Sequence, residues 1–139
     1  MHDHFSLYDF PLTRAEREAL RARQDKVIAA LRTLTPAGRR LLARLLAQMN
    51  MTGGAPVNRA GIARQLQRPG GLGPHDVLML KRLQRAELIR CKRRRLTPVP
   101  PHNLGRGSEF VYWIDDETIH ILNHIAQKRR AAADQREGA

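Results

Sequence analysis

From residue 13 onward the apolar positions recur at helical steps, pass into two short extended stretches, and return to helical steps near the end. Leu20, Val27, Leu31 and Leu34 make a narrow stripe over residues 13–34, with Arg17, Arg21, Arg23 and Lys26 lying off it. A stripe of that width predicts a helix laid against one other helix. Thr13-Arg-Ala-Glu16 marks its start as a capping box, in which hydroxyl and carboxylate each satisfy an orphan amide. Thr35-Pro36 opens a second helix, with Thr as N-cap and Pro at the first position, where its missing amide is not needed. Leu41, Leu42, Leu45, Leu46 and Met49 give that helix a wide apolar face, the mark of a core element, and Gly53-Gly54 ends it.

The stretch from Val57 to Ile114 carries the most information. Val57 suits a short strand and Asn58 a helix cap, followed by Ile62, Ala63 and Leu66 facing inward. A Gly/Pro break from Pro69 to Pro74 precedes a helix over 75–86. Val77, Leu80 and Leu83 form its expected inward row with Met79 or Ala86 alongside, which leaves His75, Asp76, Leu78, Lys81, Arg82 and Arg85 facing out. Leu78 and Met79 read either as core or as apolar contacts for thymine methyls. The segments 88–95 and 110–114 have strand character, the second strongly so. Pro98, Pro100, Pro101, Gly105 and Gly107 make a long tip between them, with His102 and Arg106. Trp113, alone in an alternating strand, reads as core. Asp115 or Asp116 can cap a last helix with Ile119, Leu122, Ile125 and Ala126 on one face.

Helix, turn, helix and basic hairpin in that order resemble the winged helix-turn-helix DNA-binding fold. Ile62-Ala63-Arg64-Gln65-Leu66, then Leu80 and Leu83, then Leu88-Ile89 leading into the basic strand carry the resemblance. It implies a mainly α, α+β fold: a core over 35–114 with a two-stranded wing, and terminal helices over 13–34 and 115–132 forming a dimer layer. Terminal helices pair two subunits in this way in the multiple-antibiotic-resistance-repressor and phenolic-acid-repressor classes. Residues 1–12 then form an arm whose Phe5, Leu7, Tyr8 and Phe10 pack on their own domain or on a second subunit, and 133–139 a disordered tail. One domain core is expected at this length.

Charge changes the picture in one respect. The chain has 139 residues and a formal net charge of +12. Residues 57–113 alone hold twelve Lys or Arg against three acids, whereas residues 114–139 are slightly acidic. A one-signed stretch of this kind points to nucleic acid as partner, and the low aromatic content of 4% argues against a base-stacking, single-strand surface. No long basic amphipathic helix with aromatic anchors favours a membrane surface. The expected partner is double-stranded DNA, with the chain acting as a homodimer. In the fold that the sequence resembles, the second helix of the motif enters the major groove, which makes His75, Asp76, Lys81, Arg82 and Arg85 the expected base-reading residues. Arg59, Arg64, Arg68, Lys92, Arg93, Arg94, Arg95 and Arg106 are the expected phosphate contacts, all held on one surface. The loop 67–73 either joins two helices or forms an anion-binding nest.

Other chemistry is poorly served. Cys91 is the only cysteine, so no intrachain disulfide forms and a reducing, cytoplasmic setting is expected. The sequence shows neither a signal-peptide layout at its start nor an apolar run of membrane-spanning length. His120 and His124 have a metal-compatible spacing but no evident companions, and His2 and His4 read as a loose terminus. There is no phosphate loop, nucleophile elbow, zinc-protease motif or paired carboxylate, so neither catalysis nor a cofactor is expected. The sequence leaves any effector ligand unknown. Two rival functions remain open: a plasmid or phage replication or partition protein on repeated sites, and a winged-helix module that binds an acidic protein.

Overall fold

Capping chemistry sets most of the boundaries in the computed structural model of the chain, which describes residues 12–96 and 107–137. The elements are α1 (Arg14–Thr33), α2 (Pro36–Thr52), β1 (Val57–Asn58), α3 (Arg59–Gln65), α4 (Pro74–Arg85), β2 (Arg90–Arg95), β3 (Ser108–Trp113) and α5 (Asp116–Glu137). The fold is mainly helical with one small antiparallel sheet in the order β1-β3-β2. The chain divides into two compact units, Leu34–Asp115 and a second made of Met1–Thr33 with Asp116–Ala139.

Within Leu34–Asp115, the Thr35 hydroxyl accepts the Gly38 amide at 3.2 Å and starts α2, with Pro36 in its first turn. Gly53, at φ 69°, ends the helix in the left-handed conformation that glycine adopts without a Cβ penalty. Between these caps Leu41, Leu42, Leu45 and Met49 are buried and Leu46 is half-buried. That face packs on α4, whose Met79, Leu80 and Leu83 are buried, and the Thr35 hydroxyl also reaches Met79 Sδ at 3.6 Å. Leu45 and Leu83 are fully enclosed, each worth about 1.5 to 3 kcal/mol of apolar burial.

The Asn58 side chain accepts the Gly61 amide at 2.8 Å and starts α3 one residue later. α3 packs on β1 and β3 and buries Gly61, Ile62 and Ala63, whereas Leu66, expected inside, is a half-buried cap at its end. Both α3 and α4 close with a residue at positive φ, Gln67 at 57° and Glu87 at 60°. The next amide then reaches back: Arg68 N–H to the Ala63 carbonyl at 2.8 Å, Leu88 N–H to the Leu83 carbonyl at 3.0 Å. This Schellman closure joins Leu88 to Leu83, both buried, and turns the chain directly into β2.

The expected two-stranded wing is part of a three-stranded sheet, because Val57 and Asn58 pair with Tyr112 and Val111 on the far side of β3. Strand β2 pairs with β3 from Arg90↔Trp113 to Arg95↔Ser108. The tip between them, with Arg106, and the arm over residues 1–11 lie outside the described residues.

In the second unit the capping box at Thr13 is formed: the Glu16 amide donates to Thr13 Oγ1 at 3.1 Å and the Thr13 amide to Glu16 Oε1 at 3.4 Å. α1 contacts α5, with Arg23 paired to Glu117 at 3.4 Å. On α5 the buried residues are Thr118, Ile121 and Leu122, so the inward face is shifted from the expected Ile119, Leu122, Ile125 and Ala126, of which only Leu122 is buried. The helix also runs to Glu137 rather than stopping near 132, since Ala131-Ala-Ala133 supplies the strongest helix formers where the helix is expected to give way to a disordered tail. Among the described residues no helix is long and apolar enough to cross a membrane.

Candidate nucleic-acid interface

The phase of α4 decides which side chains it offers. Its buried row is Asp76, Met79, Leu80 and Leu83: Leu80 and Leu83 lie inward as expected with Met79 alongside, whereas Val77 is half-buried and Asp76 takes an inner place. Asp76 therefore does not stand with the outward residues. It is only 9% exposed, its Oδ2 accepts the Gly73 amide at 3.0 Å and lies 3.4 Å from Arg68 Nε. The carboxylate satisfies the helix start, and Pro74 in the first turn puts it at the third helical position, where such an acid can reach back. Met79 is core, whereas Leu78 is 42% exposed and lies amid the outward face.

That outward face consists of His75, Leu78, Lys81, Arg82, Gln84 and Arg85, all exposed. Among the described residues none of its cations has an acidic partner within salt-bridge distance. Gln84 is a residue that sequence reasoning passes over. Its exposure follows once Leu80 and Leu83, on either side of the inward row, fix the phase. An amide here can make paired hydrogen bonds to adenine, as arginine can to guanine.

Arg64 of α3 and Arg68, just past the end of that helix, are exposed and share the rim of an open cleft of about 530 Å³ lined also by Ala60, Ala63, Gln67 and Pro69. Arg68 is the one of the pair held by Asp76.

The basic strand β2 has its partner, and the pleat then sorts its cations. Side chains alternate between faces at every residue, so Lys92 and Arg94 lie on the Val111 and Glu109 side of the sheet and Arg93 and Arg95 on the Phe110 side. The expectation that all four share one surface gives way to a two-faced strip. On the first side the Lys92 ammonium sits 5.9 Å from the Trp113 ring centre, so the half-buried Trp113 also serves as a platform. Arg94 donates to Glu109 Oε1 from Nε at 3.2 Å and from a terminal nitrogen, while Asn58 Nδ2 donates to Oε2 at 3.1 Å. The hydrogen bond from Arg94, followed by that from Asn58, holds the Glu109 carboxyl below its ordinary value. Arg90, next to these, faces Asp115 at 3.4 Å.

On the other side, Arg93 lies 5.3 Å from the Phe110 ring centre and Arg59 4.7 Å from the same ring. Arg59 Nε also donates to the Tyr112 hydroxyl at 3.1 Å. Burial pushes the Tyr112 phenol above its ordinary value, against the opposing pull of that bond, so it stays a neutral acceptor at physiological pH. Arg59, Arg93, Arg95 and Arg64 have no acidic partner among the described residues, whereas Arg68, Arg90 and Arg94 do. The unit thus holds Asp76, Glu109 and Asp115 close to particular arginines and leaves other cations open to an anion from outside.

Among the described residues no group of three His, Cys, Asp or Glu stands together as ligands for a metal ion. No protein-family model matches the chain, and no curated protein matches it.

Proposed function

We propose that the chain is a sequence-specific, double-stranded DNA-binding protein of winged helix-turn-helix type, acting as a homodimeric transcriptional regulator. α4 lies in the major groove and reads bases through His75, Lys81, Arg82, Gln84 and Arg85. Arg64 and the open cations of the sheet hold phosphates on either side. The α1 and α5 helices of two subunits supply the dimer layer. The observation that carries the reading is the outward face of α4: three cations, an amide and an imidazole on one helix, with no acidic partner among the described residues.

Selection of bound duplexes from a random pool tests it. A binding site of defined sequence is expected, and Arg82→Ala with Arg85→Ala should flatten the preference at the base pairs that they read. Removing one bidentate arginine–guanine pair costs about 1 to 3 kcal/mol of discrimination. Recovery of unselected sequence, or a preference unchanged by the double substitution, contradicts the assignment of α4.

A further inference from the structure

We propose that Arg59, Phe110 and Arg93 form a single clamp for the phosphodiester backbone of duplex DNA, a proposal that rests on the duplex-binding reading above. Strand β3 lies between β1 and β2, so the two arginines approach Phe110 from opposite sides, Arg59 from the end of β1 and Arg93 from its place across the ladder. Their guanidinium carbons are 4.7 and 5.3 Å from the same ring centre and so cannot be more than about 10 Å apart. Successive phosphates of one strand advance about 3.4 Å along the duplex axis, so two cations within that limit can both reach one short run of backbone.

Three features make the pair a site rather than two surface arginines. A guanidinium lying over a ring loses rotational freedom while its N–H edges stay available to an oxyanion. Arg59 is fixed a second time through its Nε bond to Tyr112, which leaves its terminal nitrogens to donate elsewhere. Finally, neither arginine has an acidic partner among the described residues, so the two cations repel each other until an anion joins them. Two guanidiniums already lie against the Phe110 ring, which favours the backbone over a stacked base as ligand. Phe110 is then a positioning residue that touches no DNA atom itself.

The test uses the full chain and a fluorescent duplex of mixed sequence. Phe110→Leu keeps an apolar side chain and every cation. It should weaken binding about tenfold, by releasing two cation–π contacts, and reduce the slope of log K against log salt by about one to two. Phe110→Tyr keeps the ring and should bind as the unaltered protein does. Arg93→Lys should weaken binding in the unaltered protein and cost nothing further in the Phe110→Leu protein, a non-additivity that general loss of stability does not produce. Should Phe110→Leu fail to fold, Arg59→Lys and Arg93→Lys alone carry the test, each expected to lose severalfold affinity while keeping its charge.

Unchanged affinity and slope for Phe110→Leu, or lysine substitutions without effect, overturn the clamp while leaving duplex binding in place. Absence of duplex binding by the unaltered protein overturns both.

Discussion

Single residues explain where this chain departs from its own hydrophobic pattern. Gln67 is the clearest case, since it sits at φ 57°, a conformation that costs a residue with a Cβ about 1 to 2 kcal/mol, to let the Arg68 amide close α3. Gln67→Gly should keep the closure and remove the strain, raising stability by about 1 kcal/mol in urea unfolding. A lower midpoint would mean that the glutamine side chain stabilises more than its backbone costs. Asp76 shows the same primacy of local backbone chemistry. Periodicity alone sends an aspartate outward and Val77 inward, yet an acid three residues beyond the Gly73 cap turns back to its amide and takes the inner position. Pro74 in the first turn is the sequence signal that points to it. By contrast, the caps at Thr13, Thr35 and Asn58 are legible in the sequence, because each depends on residues within three positions of one another.

Elements raise a different question, how short pieces hold together. α3 has seven residues, too few for a stable isolated helix, so its order comes from docking on β1 and β3. Gly61 sits at that contact. A Cβ there would come 2.5 Å from Val57 Cγ2 and 3.3 Å from the capping oxygen of Asn58. In an exposed helix Gly→Ala gains about 1 kcal/mol, but here the stiff, β-branched Val57 cannot move aside easily. Gly61→Ala is therefore expected to lower stability by about 1 to 2 kcal/mol in thermal or urea unfolding, and a gain would show that α3 is not tightly docked. The order helix, helix, hairpin is legible because period and turn residues change sharply at Pro69–Pro74 and after Ala86. The third strand's register and the Arg59–Phe110–Arg93 group are not. They depend on pairing residues more than fifty positions apart, to which no local pattern refers. The alternation of cations over two faces is implicit in any strand assignment to 90–95, since the pleat has a period of two.

For the whole molecule, the net charge of +12 matters less than its distribution. In Leu34–Asp115 the acids Asp76, Glu109 and Asp115 each face an arginine, and the cations without such a partner among the described residues include Arg40 and Arg44 of α2, Arg59 and Arg64 of α3, the outward cations of α4, and Lys92, Arg93 and Arg95 of β2. The unit built from α1 and α5 has its own ion pairs, Arg14 with Glu18 and Arg23 with Glu117.

The most direct test of the central claim is the salt dependence of duplex affinity, measured by fluorescence anisotropy across a range of ionic strength. With about six phosphates neutralised per subunit, log K should fall linearly with log salt at a slope near −5 per subunit. A slope near zero would contradict the account, because it would mean that the open cations do not meet the backbone at all.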